Sequence, residues 1–452
     1  MTEFLNDWGI TSMVFLPLVG ALIMMITPAD QEETHKGIAL LTTLATAVIG
    51  ILLFIEFDFD DTSTLQFVVD RSWIDIVNAR YSVGLDGISL PLIALTLLVV
   101  PMVIIYSWDH IPAPGNAKAF LILILVLHTG MLGSFVAQDL VLFFVFFEVV
   151  LLPMYFMIGV WGGEQRLYAA IKFFLYTLFG SALMLVSFLA LYWNTGSETF
   201  NIVGLAEAVQ TSDISLRTQV LIFGGMFLAF GIQVPMVPFH TWLPDAHTQA
   251  PTQGSVILAA VLLKLGTYGF IRIAIPILPE AAVEWAPWIG ALAVIGIIYG
   301  ALGCLAQTDM KRLIAFSSVA HMGYVMLGIA TLTPFGTNAA IFGMVAHGLI
   351  TGMLFFIAGS VKGPLAKATY WFNQNVLDGF IDGVGKSSVG LGRFIYRFID
   401  QGTIDGAVNA SGVAASESGQ VLRRVESGRI RQYAALMFGA SALLAAVFIV
   451  AI

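Results

Sequence analysis

What most limits the fold of this chain is a succession of long apolar runs with few long polar stretches between them. A bilayer core about 30 Å thick takes roughly 20 apolar residues per helical span. About twelve such runs occur, near 10–27, 37–56, 88–106, 118–135, 138–160, 167–194, 217–240, 253–277, 284–305, 312–331, 336–361 and 432–452. Backbone polar groups in lipid must be bonded within the protein, so only helices and closed barrels cross a membrane. Barrel strands would alternate polar and apolar residues; these runs are long and do not. The expected fold class is all-α, a polytopic transmembrane helical bundle. Composition agrees: 11% of residues are charged, against about 25% in soluble domains.

Several function classes drop out. The single cysteine, Cys304, lies inside an apolar run, so neither a disulfide framework nor a cysteine metal site can form. The net charge of -9 is spread over loops and carries no nucleic-acid signature. Residues 1–9 hold no basic stretch, and no small-residue cleavage site follows the first run. That run therefore reads as a permanent span rather than a removed signal.

Lys and Arg near the span ends set the orientation. With the N-terminus outside, the inner loops hold Lys36, Lys118, Arg166, Lys311, Arg312, Lys362, Arg423, Arg424, Arg429 and Arg431. The outer loops hold only Arg71, Arg80 and Arg217, beside acids such as Asp58, Asp60, Asp61, Glu280 and Glu284.

Residues 362–431 are too polar to span. Apolar positions recur there at helical spacing (Val376, Leu377, Phe380, Ile381, Val384, then Leu391, Phe394, Ile395), with charges on other faces. This reads as an amphipathic helix lying along the membrane or a neighbouring protein; a linker with short helices also fits. The expected division is a transmembrane domain over 1–361, a lateral segment over 362–431 and a last span over 432–452.

A charge at the bilayer centre costs a few kcal/mol and needs a partner or a water-filled cavity. Glu148 sits in Phe143-Phe-Val-Phe-Phe-Glu148, too deep for its carboxylate to reach the surface. It is either a proton-relay group or a protonated acid bonded to another helix. Lys264, in Leu262-Leu-Lys264-Leu-Gly, is as deep. Desolvation disfavours the charged form of a lysine and lets it exchange protons; a structural ion pair is the alternative. Lys172 opens its span and either joins a path or snorkels to the surface. His321 and His347 fall mid-span in the tenth and eleventh runs. Histidine suits a proton chain, although one packed between helices can equally serve as a satisfied hydrogen-bonding residue. No cysteine or carboxylate cluster stands beside them to form a metal site. Finally, Val234-Pro235-Met-Val-Pro238 interrupts the seventh run, with polar sequence following. Broken helices at membrane depth line cavities or lie buried in protein; an ordinary proline kink is the plainer reading.

Trp242-Leu-Pro-Asp-Ala-His247 with Ala250-Pro-Thr252, and Gln307-Thr-Asp-Met-Lys-Arg-Leu-Ile-Ala-Phe-Ser-Ser-Val-Ala-His-Met-Gly323, resemble antiporter-like subunits of respiratory complex I, the bacterial NADH–quinone oxidoreductase. With Phe143–Glu148 and Pro153-Met-Tyr, the wording is most similar to the subunit M (chain 4) branch. The resemblance covers about residues 1–361. It implies an antiporter-like fold of two inverted five-helix repeats and an ion pathway through Glu148, Lys172, Lys264, His321 and His347. Electron transfer in other subunits would drive proton or cation movement along that row. It further implies no cofactor in this chain, with NADH, FMN, iron–sulfur clusters and quinone held by partner subunits. The partners would be the other membrane-arm subunits, and the location a bacterial inner membrane.

Two departures stand out. Where the family has a lysine just before the Pro-Met-Val-Pro stretch, this chain has Gln233, so Glu148 loses the partner that favours its carboxylate. After Lys362 the family's twelfth, broken helix is replaced by sequence including Ile404-Asp-Gly-Ala-Val-Asn409 and Arg429-Ile-Arg-Gln-Tyr433, which resembles the end of subunit L. The second inverted repeat is thus expected to be truncated. Two readings follow: an ion-translocating subunit, or a non-pumping structural or assembly paralogue.

Overall fold

The computed structural model describes residues 2–360 and 412–413. The expected lateral segment and last span lie outside the described residues. Within them, eleven helices are long and apolar enough to cross a membrane. In order they are Leu5–Ile26, Glu32–Glu56, Ser89–Ser107, Ala117–Val136, Leu140–Trp161, Arg166–Thr195, Leu216–Gln233, Thr252–Ile277, Pro279–Leu305, Met310–Ala330 and Pro334–Ser360. These correspond one for one to the first eleven apolar runs, and are called here the first to eleventh spans.

The first, second and ninth spans each start five residues earlier than expected, and the end of the seventh differs most. The seventh span was expected to reach residue 240 but stops at Gln233. Pro235 and Pro238 each lack the N–H a helix needs there, and residues 234–241 form turns instead. A short helix, Trp242–Gln249, follows before the eighth span begins at Thr252. The turn residues Val234 and Met236 and the helix residues Trp242, Leu243 and Ala246 are buried, as irregular backbone at membrane depth requires.

Loop contacts test the span count independently, because alternate loops must share a side. Gln138 N donates to Ser82 O at 2.8 Å, Leu140 N to Phe200 O at 2.9 Å and Ile202 N to Gln138 O at 2.9 Å. Those join the loops after the second, fourth and sixth spans. On the other side Lys118 Nζ donates to Thr27 O, Trp161 Nε1 to Gly115 O and Gln253 Nε2 to His110 O, each at 2.7 Å. Gly163 N donates to Gln249 O at 2.8 Å. The alternation holds through the loop after the seventh span.

The first of these sides carries a two-stranded antiparallel hairpin that the runs did not announce, β1 (Gln66–Ile74) and β2 (Ala79–Leu85). A short helix, Ile202–Thr211, lies between the sixth and seventh spans. Asp139 starts the fifth span by accepting from Val141 N and Leu142 N, and its other oxygen accepts from Arg80 N of β2. Burial pushes the Asp139 carboxyl above the usual carboxylate range, opposed by those three donors.

The eighth span is the axis of the bundle: 94% of its apolar window is buried, against 33% for the ninth. Small residues let its neighbours approach. A Cβ at Gly266 would lie 2.7 Å from Phe230 O of the seventh span. The ninth and tenth spans meet likewise at Gly300, where a Cβ would fall 2.6 Å from Ala320 N.

Candidate functional site

The eighth span is not a uniform α-helix. Two π-helical stretches, Leu258–Leu262 and Phe270–Ala274, flank the segment Leu263–Gly269 that carries Lys264. Such bulges are frequent at functional sites, and here the local reason is visible. Leu263 N–H, the normal donor to Ala259 O, bonds Leu258 O instead. Lys264 Nζ takes up the Ala259 carbonyl at 2.5 Å. The widened turn thus supplies an oxygen to a lysine that is 0% exposed.

Lys264 Nζ also lies 2.8 Å from His347 Nδ1 of the eleventh span. The His347 ring stands 5.7 Å, centroid to centroid, from that of His321 on the tenth. His347 Nε2 is buried and has no hydrogen-bond partner among the described residues. Both histidines line a cavity of about 350 Å³ between the tenth and eleventh spans, with Tyr324 and Thr351 as further polar neighbours. His321 is exposed at its mouth. Lys264, His347 and His321 therefore form one contiguous row leading from the bundle axis to a cavity.

Glu148 belongs to a different neighbourhood. Its Oε1 is buried without a partner among the described residues, and Ser181 of the sixth span faces the carboxyl. Gln233 is 5% exposed and donates from Nε2 to Leu262 O at 2.9 Å. It lines a cavity of about 10 Å³ with Phe147, Val150, Leu151, Phe173 and Thr177, room for about one water. Phe147, Val150 and Leu151 share one face of the fifth span, and Glu148 is not among the residues lining this space. Gln233 spends its amide on the eighth span's backbone.

Lys172 does not snorkel. It is 4% exposed, and its Nζ pairs with Asp245 Oδ2 at 2.9 Å. Asp245 Oδ1 pairs with Arg312 NH2 of the tenth span at 3.1 Å. From sequence, Asp245 stood only inside a motif; the available signal was a lone acid between two proline-linked turns and two spans with basic ends. A second pair went unseen, Asp86 with Arg272. Arg272 Nε also donates to Tyr268 Oη at 3.1 Å, and that hydroxyl donates to Phe135 O at 2.8 Å. Asp86 caps the third span through Ile88 N and Ser89 N. Pro235 is buried and Pro238 exposed in the turn between Gln233 and Trp242. Among the described residues no group of His, Cys, Asp and Glu could hold a metal ion.

Comparison with known proteins gives this arrangement a family. Residues 137–379 match the family described as NADH:quinone oxidoreductase/Mrp antiporter, TM, and residues 13–133 match NADH-ubiquinone oxidoreductase chain 4, amino terminus. NADH-quinone oxidoreductase subunit M of Rickettsia bellii is 43% identical over 353 residues, covering 77% of this chain and 70% of that protein. The Rhodobacter capsulatus subunit M is 44% identical over 360 residues, covering 77% and 69%. Among solved structures, respiratory complex I from Thermus thermophilus contains a chain that superposes with a TM-score of 0.69 at 29% identity, covering 77% of this chain and 70% of that one. The chain is a multi-pass membrane protein that belongs to the subunit M (chain 4) family of NADH–quinone oxidoreductases.

Proposed function

We propose that this chain is a membrane-arm subunit of a complex-I-like NADH–quinone oxidoreductase and moves protons through the row Lys264, His347 and His321. The observation that carries the reading is the 2.8 Å contact between Lys264 Nζ and His347 Nδ1 at the centre of the bundle. A lysine whose partners are a carbonyl and an imidazole can pass its proton to the ring, and histidine relays protons near neutral pH. NADH, FMN, iron–sulfur clusters and quinone belong, on this reading, to partner subunits. Electron transfer among them drives the proton movement. The location is a bacterial inner membrane with the N-terminus outside, a reading that the Lys and Arg bias of the loops supports.

The first half of the path is weakened. Gln233 carries no charge, its amide is committed to Leu262 O, and Glu148 Oε1 has no partner among the described residues. This observation favours the second reading, a non-pumping structural or assembly paralogue, for the Glu148 side only. Gln233→Lys separates the two. Lysine at this position restores a charge at the end of the seventh span, where a small cavity adjoins Gln233. We expect NADH-driven ΔpH in inverted vesicles to rise at equal NADH oxidation. An unchanged ΔpH argues against an ion path through this chain.

A further inference from the structure

Asp245 bonds two cations that come from helices far apart in sequence, and nothing in the row of Lys264, His347 and His321 accounts for it. Its Oδ2 holds Lys172 of the sixth span and its Oδ1 holds Arg312 of the tenth. We infer that Asp245 is a positioning residue that couples the charge on Lys172 to the placement of the helix beside Lys264. The inference rests on the ion path proposed above.

The geometry supports it at three points. Asp245 lies on the eight-residue helix Trp242–Gln249, which also carries His247. His247 is 0% exposed, neither ring nitrogen has a partner among the described residues, and its ring stacks on Phe355 of the eleventh span at 4.6 Å. Lys311 and Lys264 are the charged groups whose fields act on its ring.

The ends of the segment are fastened to other parts of the bundle. Thr241 Oγ1 meets Tyr176 Oη at 2.8 Å, Gln249 O accepts from Gly163 N, and Ala250 O accepts from Lys311 Nζ at 2.8 Å. Protonation of Lys172 acts on this segment through its contact with Asp245. When Lys172 is charged the carboxylate is shared between two cations. When Lys172 is neutral Arg312 has the stronger claim, and the helix bearing His247 is drawn toward the tenth span. A low-dielectric site makes that difference count. The Lys172 side of the bundle thereby reaches Lys264 although Gln233 carries no charge between them.

The test is a double-variant cycle on the intact complex in vesicles, reading protons moved per electron so that electron flow is normalised out. Asp245→Asn and Lys172→Gln should each lower that ratio roughly fivefold, within the usual range of coupling between sites. The double variant should be no worse than either, since both remove one link. Asp245→Glu, which keeps the carboxylate, should restore most of the ratio. Losses that multiply in the double variant, or a wild-type ratio in Asp245→Asn, overturn the inference. If Asp245→Asn does not assemble, Arg312→Gln with Lys172→Gln gives the same cycle and is read the same way. Lys264→Met keeps the outcomes apart. If it still pumps, the ion path itself is wrong. If it does not pump while Asp245→Asn does, only the coupling fails.

Discussion

A Lys264→Met variant is expected to assemble and to lose the protons that this chain moves per electron, because the proton-transfer group at the centre of the row is gone. Methionine fits the apolar stem's space, so the fully buried position tolerates it sterically. What disappears is the group that meets both Ala259 O and His347 Nδ1. Lys264→Arg sharpens the comparison. Arginine keeps the positive charge but does not release its proton. If Lys264 merely held two helices together, arginine would preserve function; as a relay it should fail as methionine does. The measurement is NADH-driven quenching of a ΔpH dye in inverted vesicles at matched NADH oxidation.

The largest effect on stability is expected on the hairpin side of the bundle. Arg272 and Asp86 have side chains 12% and 5% exposed. Removing one partner of a buried pair leaves the other charge uncompensated, at a cost of about 3–5 kcal/mol. Arg272→Ala strands Asp86, which also caps the third span, and takes a donor from Tyr268 Oη. The purified complex should lose this subunit's thermal protection well before its neighbours', read by subunit-resolved proteolysis on heating. The double variant Asp86→Asn with Arg272→Met removes both charges and should recover much of the loss. Equal fragility of single and double variants would mean that the pair contributes through something other than charge compensation.

Much of the bundle was legible because lipid enforces it. Eleven apolar runs became eleven spans, and the prolines at 235 and 238 marked where the seventh stops, although the sequence alone placed that end at 240 rather than at Gln233. The depth of Glu148 and Lys264 could be counted from the ends of their runs. Their partners could not, because a pairing such as Lys264 with His347 joins residues 83 apart. Asp245 illustrates the limit best. It lies in a short polar stretch that reads as loop, and only the tertiary approach of the sixth and tenth spans turns it into a two-cation clamp. The π-helical stretches around Lys264 leave no compositional trace, since they depend on which carbonyl each N–H selects. The hairpin of β1 and β2 was hidden for another reason: β1 is mostly exposed and does not alternate cleanly.

On the reading proposed above, this chain occupies the subunit M position in a working membrane arm. Purification of the assembly from native membranes through a C-terminal tag, followed by mass spectrometry, decides the matter. We expect recovery of the NADH-oxidising and quinone-site subunits together with other membrane-arm subunits, and no second subunit M. Recovery of the chain without those subunits, or beside another full-length subunit M, would contradict that placement.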